Sequence, residues 1–444
     1  MAGSKRKSLL NIFPGWWIVL ATGFVTLWGH GYYSQGFSAL FKPISADLGL
    51  SRAVTSVASS IGRFEGGLEA PIIGWLTDRY GPRWVMMFGA FLIGLGLLLM
   101  GLVQSLWAFY LAWGVILGTG MNVGLTIPMD KAISNWFVKK RGVALSVRAI
   151  LQGFATMAVL PLIAWLIGSI GWRMTCVVGG IVMLVVGLPF LFFYVKQQRP
   201  EFYGLLPDGA VAGNTPAANA DHSRMINQGI EYAAHADEYE FTLRQAMRTR
   251  AYWLFISAWT VGNMAIMPMM VHFIPFLTDM GISPVRAAWM MSLSSALAIP
   301  TRLIAGYLTD HIGKSRMRFI AIGTFALVAL GITAYQLFQT TAMAQVFLIL
   351  YYAGFTATMP LYTAVGSRYF GRKSIGSIQG ISTLMMMPFG VIAPIIVGAI
   401  YDRTGSYTIA FNLCIGLLVL ASLMILFARP PKPPANVTDI NKIL

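Results

Sequence analysis

The sequence predicts an all-helical membrane protein, twelve transmembrane helices arranged as two pseudo-symmetric six-helix bundles, and three observations predict it. Hydrophobic residues make up 57% of the chain and charged residues 11%, against about a quarter charged in an ordinary soluble domain. The apolar runs are about 20 to 28 residues long, as a helix crossing roughly 30 Å of hydrocarbon requires, and they lack the alternation of barrel strands. A loop sequence in the first half recurs 232 residues later in the second.

Taken in order, the runs are 15–40, 52–77, 84–104, 107–133, 142–168 and 173–195, then 251–278, 285–309, 317–337, 342–366, 374–400 and 406–428. Lys5, Arg6 and Lys7 precede the first, which is too long for a signal-peptide core and has no clear small-residue cleavage site, so it reads as an uncleaved span. With the N-terminus inside, 23 of the 32 Lys and Arg fall on the cytoplasmic side, including Arg79, Arg83, Lys139, Lys140, Arg141, Arg372 and Lys373. Five fall outside (Lys42, Arg52, Arg173, Arg286, Arg403) and four within spans. This asymmetry places both termini in the cytoplasm, and the expected location is a bacterial inner membrane. The break at 196–250 collects seven acids, Asp221 and Asp237 among them, with Ala, Asn, Gly and Pro, and reads as a mobile cytoplasmic linker whose end, Phe241 to Arg250, forms a short surface helix. Residues 1–195 and 251–444 are then the two halves, the second ending in a short cytoplasmic tail.

The net charge of +16 follows from this topology, because the bases sit in short clusters between apolar runs. No nucleic-acid partner is expected. Cys176 and Cys414 lie far apart in apolar runs and read as inert buried thiols. No Ser-His-Asp set, metal-ligand cluster or phosphate loop of useful spacing appears, so neither an enzyme nor a cofactor or metal site is expected.

The repeated loop reads Gly74-Trp75-Leu76-Thr77-Asp78-Arg79-Tyr80-Gly81-Pro82-Arg83, then Gly306-Tyr307-Leu308-Thr309-Asp310-His311-Ile312-Gly313-Lys314. A second echo pairs Trp136-Phe137 with Tyr369-Phe370, each just before a basic cluster. Glycine lets helices approach closely. An acid at a helix C-terminus opposes the dipole unless it pairs, so Asp78 and Asp310, with Arg79, read as a latch. These residues resemble the cytoplasmic signature of the major facilitator superfamily, and the resemblance covers all twelve spans. It implies alternating access around a central site between the halves. Within that superfamily, Pro14-Gly15-Trp16-Trp17, Gly36-Phe37 and Trp136-Phe137 with Lys139-Lys140-Arg141-Gly142 resemble the monocarboxylate transporters and the related oxalate-formate antiporters. Arg302 stands where that group carries a substrate-binding arginine.

Charge at mid-membrane costs about 2.5–3.5 kcal/mol on insertion scales and calls for a role or a partner. The acids are Glu65, Glu69 and Asp130, and the bases Arg63, Lys131, Arg148 and Arg302. Arg302 lies eight residues from Asp310, roughly 12 Å from the cytoplasmic edge, next to the helix-breaking Pro300. Two roles fit it: binding an anion through its planar fork, or an ion pair with the other half. Glu69, at matching depth, and Glu65 one turn further out on the same face are candidates for proton coupling, since a buried carboxyl can stay neutral until a partner or water reaches it. The alternative is that one of them neutralises Arg63. His30, about 24 Å along the first span, is a third titratable candidate or a hydrogen-bonded structural residue. Asp130 and Arg148 read as a structural or gating bridge. Tyr33, Asn122, Asn263, Tyr351, Tyr352, Phe355 and Gln379 are candidate substrate-lining residues, with ordinary packing as the competing role.

The departures from the resembled group narrow the reading. Where animal-type monocarboxylate transporters carry an aspartate one turn before the arginine, this chain has Ala298. Where the oxalate-formate antiporter has a lysine in the eleventh span, no Lys or Arg lies between Ile375 and Tyr401. The expectation is a monomeric proton-coupled symporter of a small monocarboxylate, with a carboxylate exchanger or a multidrug exporter using Glu65 and Glu69 as alternatives.

Overall fold

The computed structural model describes residues 13–50, 52–210, 222–234 and 238–433. Lys5 to Lys7, Asp221, Asp237 and Lys442 lie outside them, as do the side chains of Arg52, Arg63 and Arg224. Every regular element among the described residues is helical. The first half runs α1 (Pro14–His30), α2 (Gly36–Asp47), α3 (Arg52–Tyr80), α4 (Pro82–Met100), α5 (Leu106–Phe109), α6 (Gly118–Leu125), α7 (Ile127–Trp136), α8 (Arg141–Phe154), α9 (Leu160–Val182) and α10 (Leu188–Tyr194). After α11 (His222–Ala234) and α12 (Leu243–Met247) come α13 (Arg250–Asp279), α14 (Pro284–Leu297), α15 (Ile299–His311), α16 (Met317–Phe338), α17 (Thr341–Phe370), α18 (Ile375–Thr404) and α19 (Thr408–Phe427).

Local chemistry sets these limits. Gly81, at φ +83°, reverses the chain between α3 and α4, and Pro82 supplies the fixed φ that opens the next helix. Gly171, at φ +79°, breaks α9, so the long apolar run Arg141–Tyr194 is two arms rather than one. Eight helical runs among the described residues are long and apolar enough to cross a membrane. The first run, α1 with α2, the charged α3 and the broken α14–α15 fall outside that set. The break between α14 and α15 has a cause: Ala298 caps both helices and Pro300, in the first turn of α15, has no N–H to continue the ladder. The expected first span, 15–40, continues to Asp47 through one wide turn at Gly31–Gln35.

Packing divides near the middle of the chain. One core gathers residues from Ile18 to Val195, joined by Ala364, and two others gather residues from Phe241 to Ala428. The two sets meet where α3 packs on α18 and α8 on α15. Large side chains such as Trp107, Trp289 and Leu337 stay exposed, a surface that hydrocarbon solvates and water does not.

The middle segment differs from its expectation. Composition reads it as mobile, yet Glu201 and Glu238 are buried to 3% exposure. Asp208 accepts hydrogen bonds from the backbone N–H groups of Val138, Lys139 and Lys140. Glu240 pairs with Arg199. These four acids are bound to the protein rather than to water, Glu201, Glu238 and Glu240 by arginines and Asp208 by backbone N–H groups. The segment ends in the short helix α12, closed by a Thr242–Gln245 capping box.

Candidate functional site

The two halves are joined at one end by two related contacts. Asp78, near the C-terminus of α3, accepts from the N–H groups of Gly376 (3.1 Å) and Ser377 (2.7 Å), in the first turn of α18. Asp310, near the C-terminus of α15, accepts from Gly142 (2.7 Å) and Val143 (2.9 Å), in the first turn of α8. Neither α8 nor α18 has a side-chain cap of its own. Each aspartate therefore satisfies orphan amides of a helix in the other half and meets the positive end of its dipole. The motif glycines permit the approach: a Cβ on Gly74 would lie 2.2 Å from the Gly376 carbonyl oxygen, and one on Gly306 2.4 Å from that of Gly142.

The cation on Asp78 is Lys131, which also donates to the Lys373 carbonyl at 3.1 Å. Sequence reasoning left Lys131 without a role and placed Arg79 in the latch. The Arg79 guanidinium instead stacks over Trp75 and Tyr80. Further residues at this face also escaped the sequence reading. Glu238 pairs with Arg141 at 3.0 Å and lies 3.7 Å from Arg372, which binds Glu201 at 3.0 Å and the Asn135 carbonyl at 2.9 Å. Burial alone would lower the Arg372 pKa, but Glu201, Glu238 and Glu240 together carry it above its ordinary value. The only available signal was composition: acids between two basic clusters.

Deeper in, Arg148 reaches Asp130 at 2.6 Å, as the sequence predicts. The same carboxylate accepts from Thr363 (2.6 Å), whose hydroxyl accepts from Gln379 (3.1 Å). The bridge thus spans both halves, and Gln379, expected at the substrate, is buried within it. Deeper still, Arg302 donates to the Ala149 carbonyl at 2.5 Å, its own carbonyl accepts from Ser146 at 2.8 Å, and a Cβ on Gly153 would lie 3.1 Å from its guanidinium. Its Nε is buried without a partner, and no carboxylate lies within ion-pairing distance among the described residues. Among the described residues, the hydrogen bonds and ion pairs joining the halves run from the Asp78 and Asp310 contacts inward as far as Arg302.

On the other side of the interface, α3 turns Glu65 and Glu69 toward α6. Thr119 donates to Glu69 at 2.8 Å and lies 3.5 Å from Glu65. Asn122 donates to the Gly62 carbonyl at 2.9 Å and reaches Glu69 at 3.5 Å. The Tyr33 ring stacks on Trp113 and its hydroxyl lies against Gly62. His30 meets Ser34 at 3.3 Å on its own span. Among the C-terminal candidates, Tyr351 is fully buried and donates to the Ile266 carbonyl at 3.0 Å. It packs with Tyr352, Phe355 and Phe273 in an aromatic core. Asn263 donates to the Trp259 carbonyl of its own helix at 2.9 Å.

The chain as a whole is similar to known proteins. Residues 19–394 fit the model of the Major Facilitator Superfamily. The MFS-type transporter YcxA of Bacillus subtilis (strain 168) is 25% identical, covering 95% of this chain and 97% of its own. Monocarboxylate transporter 13 of Rattus norvegicus is 26% identical, covering 94% and 89%. Monocarboxylate transporter 12 of Homo sapiens is 23% identical, covering 94% and 80%. In fold, the proton:xylose symporter XylE superimposes with a TM-score of 0.68 at 14% identity, covering 93% of this chain and 95% of that one. A bacterial homologue of the iron transporter ferroportin in an outward-facing state gives 0.68 at 14% identity, covering 94% and 99%. The chain is a membrane transporter, not an enzyme, and it belongs to the Major Facilitator Superfamily.

Proposed function

We propose that this transporter moves a small monocarboxylate together with a proton, by alternating access between two six-helix halves of twelve spans, and that the structure is its cytoplasm-closed conformation. One observation carries the substrate class: a mid-membrane guanidinium, Arg302, beside a helix break, with a buried Nε that has no partner and, among the described residues, no carboxylate paired to it. A bound carboxylate would supply the missing charge and accept the free donors in a forked geometry. The relatives named monocarboxylate transporters support the same class. Glu69, held by Thr119 and Asn122, is the proposed proton carrier, so that one anion and one proton cross without net charge. The site is entered from outside while the Asp78 and Asp310 contacts keep the cytoplasmic side closed, and both termini and the middle segment lie in the cytoplasm of a bacterial cell.

The acid pair Glu65 and Glu69 favours one second reading, a proton-driven exporter of cationic drugs, which leaves Arg302 without a ligand. Reconstituted vesicles decide between them. Uptake of labelled L-lactate or pyruvate should be accelerated by external acid and abolished in Arg302→Ala. Transport of cationic drugs that survives Arg302→Ala, with no carboxylate uptake, overturns the proposal.

A further inference from the structure

The contacts around Thr119 extend the proton reading to a residue that carries no charge. Glu65 and Glu69 lie one helical turn apart on one face of α3, and the Thr119 hydroxyl of α6 sits between them, 2.8 Å from Glu69 Oε1 and 3.5 Å from Glu65 Oε2. A hydroxyl has one proton to donate and lone pairs to accept with. It can donate to one carboxylate only, and the shorter distance assigns that bond to Glu69. Its lone pairs then face Glu65, where they can accept only from a protonated acid.

The hydroxyl is held in place. A Cβ on Gly118 would lie 2.9 Å from the Gly62 Cα, so the backbones of α6 and α3 are in close contact beside it. The β-branched threonine has few rotamers within a helix, and Asn122 ties the next turn of α6 to the Gly62 carbonyl. Other groups on the pair's neighbours are accounted for. Tyr33 reaches Gly62 from the first span. His30 bonds to Ser34, Tyr110 to the Val54 carbonyl, and Lys131 to Asp78 at the cytoplasmic end of α3. From α18, Met387 packs on Gly67, and that helix carries no ionisable side chain from Ile375 to Ile400. Arg63 shares α3, with its side chain outside the described set.

We propose that Thr119 is the positioning residue of a shared-proton pair, its hydroxyl linking Glu65 and Glu69 so that the two carboxyl groups hold one proton between them and pass it along α3. The transfer balances: the Glu65 O–H bond breaks as its proton goes to Thr119 Oγ1, the original Thr119 proton goes to Glu69, and the hydroxyl is regenerated. One proton has then moved one turn along α3, toward the depth of Arg302, with no ion left on the threonine. This rests on the reading of Glu69 as proton carrier.

The test uses the full-length protein in lipid, with infrared titration of the carboxylic acid carbonyl band assigned through Glu65→Gln and Glu69→Gln. Coupled acids titrate in two macroscopic steps. Thr119 stabilises the singly protonated pair and therefore holds those steps apart. Thr119→Val, close in shape but without the hydroxyl, should draw them together by about one to two pH units, the effect of losing a hydrogen bond to a charged group. Thr119→Ser should restore the separation, and Thr119→Ala stands in if the valine variant does not fold. Unchanged separation in Thr119→Val or Thr119→Ala, or a serine variant that behaves like valine, overturns the proposal whatever transport does. If the infrared result holds while L-lactate uptake by Glu69→Gln keeps its acceleration by external acid, the shared pair stands and the assignment of Glu69 as carrier falls.

Discussion

Replacing Asp78 with asparagine removes one charge and almost no volume, so its effect can be worked from the contacts. The carboxylate accepts from two amides of α18 and from the Lys131 ammonium, which is 7% exposed. Asparagine keeps one acceptor oxygen, so one amide bond falls from charge-assisted to neutral at about 1 kcal/mol, half its strength, and the other amide loses its acceptor at about 1 kcal/mol or more, about 2 kcal/mol together. A lysine left buried without its counter-ion adds about 1–3 kcal/mol. On the proposed reading these contacts exist only in the cytoplasm-closed conformation, so the sum falls on that state alone. A shift of about 3 kcal/mol is roughly a hundredfold change in the ratio of conformers. Spin labels at Tyr80 and Ser315, exposed and close in sequence to Asp78 and Asp310, report the separation, and the two native cysteines are buried. The labels should move from one short distance to a population dominated by a longer one. Adding Lys131→Met to Asp78→Asn should recover part of the loss, because the stranded ammonium is gone. A distance distribution identical to wild type in Asp78→Asn would refute the latch.

Arg302→Lys keeps the charge and loses the fork, so carboxylate affinity should fall by about ten- to a hundredfold, equal to about 1.5–3 kcal/mol; equilibrium binding of labelled L-lactate checks it, and an unchanged Kd removes the arginine from the site. Glu238→Gln leaves Arg141 and Arg372, both 1% exposed, short of a counter-ion and should destabilise the protein by about 3 kcal/mol. A thermal-shift midpoint equal to wild type would show that the middle segment is not a structural tie.

The spans were legible because a bilayer leaves a helix little choice: apolar length fixes them, and α16 (Met317–Phe338) or α13 (Arg250–Asp279) end within one residue of 317–337 or 251–278. The Asp130–Arg148 pair was legible for a similar reason, since two opposite charges at one depth on consecutive helices need each other. What stayed hidden depends on lateral position, which span counting does not encode. Depth alone could not show that Lys131 rather than Arg79 turns to Asp78, that Tyr351 packs into an aromatic core, or that Gln379 joins the Asp130 network. Nor does an acid-rich composition reveal its partners. Glu201 and Glu238 resemble solvating residues until Arg141 and Arg372 are seen to face them.

The two latches look equivalent in sequence but not in chemistry, and the difference gives a last expectation. Asp310 repeats the amide contacts of Asp78, at 2.7 and 2.9 Å from Gly142 and Val143. The described residues place no lysine or arginine on its carboxylate; Arg368 reaches the Asp310 backbone carbonyl at 3.5 Å instead. Asp310→Asn keeps one acceptor oxygen, so one amide bond falls from charge-assisted to neutral and the other amide loses its acceptor, but no buried ammonium is stranded, a loss of about 2 kcal/mol against about 3 kcal/mol or more for Asp78→Asn. In the same spin-label measurement it should shift the conformer ratio by about thirtyfold, less than its counterpart, and Lys131→Met should rescue Asp78→Asn without rescuing Asp310→Asn. Equal shifts in the two variants, or rescue of both, would show that the repeat is symmetric in energy as well as in sequence and that Lys131 contributes nothing specific to closure.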